Sequence, residues 1–274
     1  MRQRIEQVFN FSQSLLDVIQ QKRISFIAAS LAYYALISII PLLLLLLVLA
    51  SLIGDETVIM QVVETVTAAF GPQAGSLVEE ALISAAGRSG ATLVGIGALL
   101  WSALKIFRGL DIAFAEVYGE SGPDSLLDQL QNAIIAIGGV LVGVIATVVI
   151  GLLISLIGLF QLRVLAQLIG ILGGIVSILM LTIAFFPIYY LLPGHTVTIK
   201  EVIPGTIFAA IGWTLLQTGF RWYASVAGAY EAYGVLGGVL LLVTWFYFGG
   251  FILLLGAVLN AVLANRTDPA ITPE

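Results

Sequence analysis

The segment 26–53 reads FIAASLAYYALISIIPLLLLLLVLASLI and carries no charged side chain. A bilayer core of roughly 30 Å needs about 20 apolar residues of helix to cross it, so this segment can span a membrane with tilt. Its apolar residues are continuous and do not alternate every second position, which excludes a strand of a transmembrane barrel. The segment therefore predicts a membrane-spanning α-helix.

The rest of the chain repeats this pattern. Of its 274 residues, 60% are hydrophobic and only 10% are charged, whereas soluble domains average about 25% charged residues. Windows of about 19 residues predict spans near 26–53, 91–115, 133–160, 164–192, 202–224 and 235–263. The expected fold is all-α, a polytopic transmembrane helical bundle in which residues 26–264 form a single six-helix domain.

Three polar segments flank or interrupt the bundle. Residues 1–25 place apolar side chains on one helical face between basic ends, which predicts an amphipathic helix on the cytoplasmic surface of the membrane. Residues 54–90 read as two short amphipathic helices and predict an external helical cap between the first two spans. Residues 265–274 are expected to form a cytoplasmic tail.

The distribution of lysine and arginine sets the expected orientation. With both termini in the cytoplasm, the inner flanks hold eight cations and the outer flanks hold three. The inner set is Arg2, Arg4, Lys22, Arg23, Lys105, Arg108, Lys200 and Arg266, and the outer set is Arg88, Arg163 and Arg221. This bias predicts a multi-pass protein of the plasma (inner) membrane with both termini in the cytoplasm.

Small residues and prolines give the expected packing. Glycines one turn apart let helix backbones approach closely in lipid, and the pairs in this spacing are Gly139/Gly143, Gly170/Gly174 and Gly234/Gly238. Pro41 and Pro187 lie within spans and predict kinks unless their helices end there. Pro204 is expected near the start of the fifth span, where a missing N–H is tolerated.

Two groups of polar residues are candidate sites. Lys105, Arg108 and Asp111 follow three-residue steps, so they share one face of the second span. Two interpretations of Lys105 and Arg108 stay open. In the first, they bind the head group of an anionic lipid at a specific site. In the second, the helix simply ends at the cytoplasmic surface, and both side chains extend to lipid phosphates there. The second candidate is a polar cleft formed by Tyr33, Tyr34, Asp111, Gln217, Arg221 and Glu231. In the alternative interpretation, these residues form no cleft: the aromatic ones lie at the membrane interface, and the others form ion pairs or hydrogen bonds between helices.

No motif predicts a catalytic residue, a metal site or a cofactor. The chain has no cysteine and one histidine, and it contains no GxxxxGK[ST] phosphate-binding loop. Metal-assisted phosphodiester hydrolysis needs clustered His, Asp or Glu ligands, and no basic domain is present to hold RNA. We therefore expect neither an enzyme nor a nucleic-acid partner.

The opening string FIAASLAYYALISIIPLLLLLL resembles the signature of the YihY/virulence factor BrkB family of inner-membrane proteins. The strings LLPGHTVTIKEVIPGTIFAAIGW and YEAYGVLGGVLLLVTWFYFGGFILLLGAVLNAVLA are similar to later motifs of that family. The resemblance covers about residues 20–264. Many members carry an acidic residue where Val258 stands here, so a mechanism through that carboxylate does not carry over.

The resemblance implies a six-helix inner-membrane bundle and no settled activity. Members of the family have been linked to serum resistance and to the export of lipids and envelope components, and some were once labelled ribonuclease BN. We expect a protein that transports or accommodates a lipid or another amphiphile, with membrane lipids as partners. The alternative is a membrane organiser that transports nothing and recruits a second copy or another membrane protein.

Overall fold

The computed structural model describes residues 2–53, 108–119, 163–193, 196–226 and 235–264, together with the single helical residues 60, 63, 64, 67, 76 and 138. Regular structure in these residues is entirely α-helical, which confirms the predicted all-α fold. We label the helices α1 (Arg2–Gln21), α2 (Ile24–Ile53), α3 (108–118), α4 (Arg163–Leu191), α5 (Ile199–Val226) and α6 (Val235–Leu263).

Four helices coincide with predicted spans, namely α2, α4, α5 and α6. Among the described residues, three segments are long and apolar enough to cross a membrane: Gly174–Leu191, Ile199–Phe220 and Leu236–Leu263. The pair Phe9–Gln21 and Ile24–Ile39, bent by 53°, raises this number to four if it forms one broken span. The predicted span 133–160, most of 91–115 and most of the external cap lie outside the described residues, so the total of six spans stays a prediction.

The start of α5 corrects the expectation for Pro204. The backbone N–H of Thr198 donates to the Glu201 carboxylate over 3.1 Å, and the backbone N–H of Glu201 donates to the Thr198 carbonyl over 3.0 Å. This arrangement has the spacing of a capping box, in which a Thr and a Glu three residues later fix the first turn of a helix. The helix therefore starts at Ile199, and Pro204 lies in its second turn.

The other two prolines do not end their helices. The backbone of α2 is helical through position 41, and α4 continues past Pro187 to Leu191. A proline within a helix removes one N–H donor and leaves the carbonyl four residues earlier without its usual partner. Helix α4 instead stops shortly before Pro193, because a residue that precedes proline disfavours helical geometry.

The chain divides into two compact units. The first unit comprises Met1–Phe26, Leu110–Leu216 and Phe251–Glu274, and the second comprises Ile27–Gly109 and Gln217–Gly250. In the first unit, buried side chains come from all three of these segments, for example Val18, Tyr189 and Leu254. The rings of Phe114 and Tyr189 meet edge to face with centroids 5.5 Å apart, so α3 packs directly against α4.

In the second unit, α2 packs against the early part of α6. A Cβ atom added at Gly250 would lie 3.6 Å from the Ala28 carbonyl oxygen and 3.6 Å from the Leu31 Cβ. The end of α5 meets α6 through Phe220 and Trp245, whose ring centroids are 4.9 Å apart. The predicted domain boundaries remain a prediction, because the division into units follows packing within the chain and does not locate a membrane.

Candidate functional site

The two tyrosines of the predicted polar cleft lie on α2 in the second unit. Tyr33 and Tyr34 are 58% and 37% exposed, and their rings meet at 64° with centroids 5.7 Å apart. A Cβ atom added at Gly109 would lie 3.2 Å from a Leu31 methyl and 3.5 Å from the Tyr34 ring. The absence of a side chain at Gly109 thus lets α3 approach Leu31 and Tyr34 of α2.

The residue that precedes Gly109 is one of the predicted cations. Arg108 is exposed and directly precedes Gly109 in the sequence, at the point where α3 meets Tyr34. Asp111, three residues later, is only 5% exposed. Within the described part of the chain, the Asp111 carboxylate forms neither a hydrogen bond nor an ion pair, so it does not pair with Arg108.

The remaining candidate residues are placed unevenly. Gln217 is half-buried on α5, and Arg221 lies one helical turn later on the same helix. Lys105 and Glu231 lie outside the described residues. The structure therefore brings Tyr34 to the segment that carries Arg108, while the wider cleft stays a prediction.

The glycines predicted to pack helices give a similar result. Gly174 is exposed, and a Cβ atom added there would meet no described atom within 4 Å. Gly170 lies on α4 and Gly238 is half-buried on α6. Gly139, Gly143 and Gly234 lie outside the described residues. The proposed packing role of these pairs stays a prediction.

The tightest described crossing lies instead between α5 and α6 in the first unit. A Cβ atom added at Gly205 would overlap the carbonyl oxygen of Gly256, and one added at Gly256 would overlap the Tyr189 hydroxyl and lie 2.6 Å from the Gly205 carbonyl oxygen. The backbones of the two helices are thus in contact at this point. Only glycine at both positions permits such a crossing, because any Cβ would force the helices apart.

A buried asparagine joins the same two helices. The Asn260 Oδ1 accepts a hydrogen bond from the Gly205 backbone N–H over 2.6 Å, and its Nδ2 donates to the Val202 carbonyl over 3.0 Å. Asn260 is 1% exposed. Both ends of the amide are therefore satisfied by α5, as a polar group in an apolar surrounding requires.

Tyr189 extends this crossing to α4. Its hydroxyl donates to the Leu253 carbonyl over 2.6 Å, and the residue is 0% exposed. The hydroxyl of Tyr189 therefore joins α4 to α6 through a hydrogen bond. We call Tyr189, Gly205, Gly256 and Asn260 the three-helix junction.

Spacing alone did not single out Gly205 as part of this junction. The available signal was Asn260, an amide within an otherwise apolar helix, because such a group must find partners on a neighbouring helix. The sequence does not show which residues those partners are, because Asn260 bonds to backbone groups and every residue carries them.

Tyr189→Phe is expected to lower stability by about 0.5–1.5 kcal/mol, the usual net value of one hydrogen bond. The ring keeps its contact with Phe114, so only the bond to the Leu253 carbonyl is lost. Thermal unfolding of the purified protein in detergent measures the effect. Tyr190→Phe is the matched control because that residue is 42% exposed and stacks on Phe186; an equal loss in both variants would contradict the role of the Tyr189 hydroxyl.

Among the described residues, no group of three or more His, Asp or Glu side chains is placed to hold a metal ion. The described site consists of apolar helices, a glycine crossing and a few exposed polar residues. Together with the predicted spans, these features define a polytopic α-helical membrane protein.

Comparison with known proteins gives the family. The family described as Virulence factor BrkB matches residues 15–274, so the chain belongs to this family of membrane proteins. It is 30% identical over 254 residues to the ribonuclease-like protein YfkH of Bacillus subtilis, covering 87% of this chain and 90% of the relative. It is 28% identical over 254 residues to a UPF0761 membrane protein of Pseudoalteromonas translucida, covering 90% and 83%. No solved structure matches the chain.

Proposed function

We propose that this membrane protein binds an anionic amphiphile, most concretely a phospholipid, and allows its head group to move along the bundle. The observation that carries the proposal is the exposed Arg108 at the point where Gly109 approaches Tyr34. A guanidinium binds phosphate through two parallel hydrogen bonds. Tyr34, which contacts the position of Gly109, and the neighbouring Tyr33 offer hydroxyl groups and apolar rings to the same molecule.

Within the described residues, Arg108 forms no ion pair or hydrogen bond. It lies on the exposed side of α3, whereas Asp111 is buried and does not neutralise it. A cation retained at or near membrane depth carries a free-energy penalty unless it has a partner or reaches the interface. An anionic head group supplies that partner, and Lys105, three residues earlier in the sequence, adds a second positive charge.

The proposal assigns the chain no catalytic step. Its relatives carry different descriptions, a ribonuclease-like protein in one case and a membrane protein in others. A hydrolytic function would need a set of metal ligands or a nucleophile and a base, and Tyr33, Tyr34 and Arg108 do not form such a set.

Lys105→Ala/Arg108→Ala is expected to reduce transbilayer movement of fluorescent phosphatidylglycerol in vesicles reconstituted with the full chain by about tenfold or more, since each lost charge-assisted bond is worth about 1.5–3 kcal/mol. The measurement is the fraction of labelled lipid that becomes accessible to an impermeant quencher. Lys200→Ala is a control, because Lys200 is an exposed cation in the first turn of α5.

Movement in the double variant equal to that of the wild type would contradict the assigned site. Absence of movement by the wild type, compared with protein-free vesicles, would contradict the translocation function itself. In that case the membrane organiser is the better hypothesis, and reproducible cross-linking to one protein neighbour in native membranes tests it.

A further inference from the structure

A cleft lies at the bend between α1 and α2, within the first unit. Its volume is about 320 Å³, and it is lined by Ile19, Gln20, Arg23, Ser25 and Phe26. The three polar lining residues are exposed, and Phe26 is 72% exposed. The cleft therefore presents a guanidinium, an amide and a hydroxyl beside an aromatic ring.

The two adjacent cations at this bend are used differently. The Lys22 ammonium lies 3.9 Å from the Glu116 carboxylate and close to Gly119, at the C-terminal end of α3. A cation at the C-terminal end of a helix also interacts favourably with the helix dipole. The Arg23 guanidinium, by contrast, forms no ion pair or hydrogen bond with any described residue, so its donors are available to a ligand.

The backbone at Arg23 is strained. Its φ is +50°, which makes it the one described non-glycine residue with positive φ. Glycine adopts this left-handed conformation without a steric penalty, whereas an L side chain does not. If the bend were the only requirement, glycine would serve better at this position. An arginine held in this conformation points to a function of the side chain.

We propose that this cleft binds the phosphate group of an anionic membrane lipid. The Arg23 guanidinium donates two hydrogen bonds to phosphate oxygens, and Gln20 and Ser25 donate to the same group. The phosphate belongs to a lipid because the cleft lies where α2 begins at Ile24, and α2 coincides with the first predicted span. A phosphate group in the cleft thus lies at the membrane surface, and the acyl chains of the same lipid can lie along Phe26 and the apolar start of α2.

This site uses different residues from the Arg108 region, and it does not depend on lipid movement. Its role is to hold a lipid at the junction of α1 and α2. The cleft lies at the bend of 53° between these helices.

The test is native mass spectrometry of the full-length protein in detergent, titrated with phosphatidylglycerol or phosphatidylcholine. The wild type is expected to prefer phosphatidylglycerol. Arg23→Gly is expected to lower the affinity for phosphatidylglycerol about tenfold, as the loss of a charge-assisted bidentate contact does, without lowering the temperature of thermal unfolding, since glycine relieves the strain.

Two further variants make the test specific. Arg23→Lys keeps the charge and loses the planar fork, so it is expected to retain part of the preference. Lys22→Ala removes a neighbouring charge that is directed at Glu116, so it is expected to bind phosphatidylglycerol as the wild type does. Unchanged binding in Arg23→Gly, or an equal loss in Lys22→Ala, would overturn the proposal.

A third arm separates lipid from free anion. Displacement of phosphatidylglycerol by millimolar inorganic phosphate would show a free-anion site and overturn the lipid assignment, whereas retention of the lipid supports it. Lipid movement in vesicles is read separately through Lys105→Ala/Arg108→Ala. A failure of lipid binding at Arg23 is therefore distinguishable from a failure of the proposed translocation.

Discussion

Gly205→Ala is expected to disrupt the crossing of α5 and α6 and to leave little correctly folded protein. The added methyl group would overlap the carbonyl oxygen of Gly256, and a backbone atom cannot move away as a side chain can. Overpacking of a well-packed core costs typically about 1–3 kcal/mol, occasionally more. We expect Gly205→Ala to lower stability by an amount at or above the upper end of this range, because the two helices must separate along their length.

Helix α5 offers its own controls for this prediction. At Gly212, an added Cβ would lie 2.8 Å from a methyl group of Ile252, and at Gly219 it would meet no described atom within 4 Å. Since alanine favours helix more than glycine does, Gly219→Ala is expected to keep or slightly raise stability. The stability of Gly212→Ala is expected to lie between those of Gly205→Ala and Gly219→Ala. The measurement is the monodisperse yield and the temperature of thermal unfolding in detergent.

The order of the three variants is the decisive result. If Gly205→Ala were as stable as Gly219→Ala, the backbone contact between Gly205 and Gly256 would not exist in the folded protein. Gly256→Ala is expected to resemble Gly205→Ala, because the contact is reciprocal and the Tyr189 hydroxyl occupies the same space.

Asn260→Ala is expected to lower stability by about 2–3 kcal/mol. Two hydrogen bonds to α5 are lost, at about 0.6–1.7 kcal/mol each in membrane proteins, and a small cavity forms at a fully buried position. The Gly205 N–H also loses the oxygen that it contacts at 2.6 Å. Thermal unfolding in detergent again measures the effect, and Asn260→Leu shows whether filling the volume without the hydrogen bonds restores stability.

Thr244→Val is the matched control on α6. The Thr244 hydroxyl donates over 2.8 Å to the Leu240 carbonyl of its own helix, so it joins no second helix. We expect Thr244→Val to leave stability nearly unchanged, because the Leu240 carbonyl keeps its hydrogen bond within the helix. A loss as large as that of Asn260→Ala would show that any polar group on α6 matters, and that the bridge to α5 has no special role.

The residues of the candidate sites show how far sequence reasoning reaches. The spacing of Arg108 and Asp111 correctly predicts that they belong to one helix, but Arg108 is exposed and Asp111 is buried. The direction of a polar side chain depends on what packs against the helix, and this information lies in distant segments. Likewise, the spacing of Gly170 and Gly174 does not reveal that Gly174 is exposed.

The amino-acid sequence alone predicts the class of the protein and, among the described helices, the bounds of two long apolar ones. The absence of charge in 26–53 and 235–263 predicts α2 and α6 almost to the residue, because each backbone group in hydrocarbon must be satisfied within its own helix. Hydropathy could not assign helix contacts, since lipid-facing and helix-facing side chains are equally apolar. The contact of Gly205 with Gly256 and the bridge of Asn260 between α5 and α6 become visible only in the folded chain. Close packing depends on two backbones lying at the same height, and that property belongs to the pair of helices and to neither sequence segment alone.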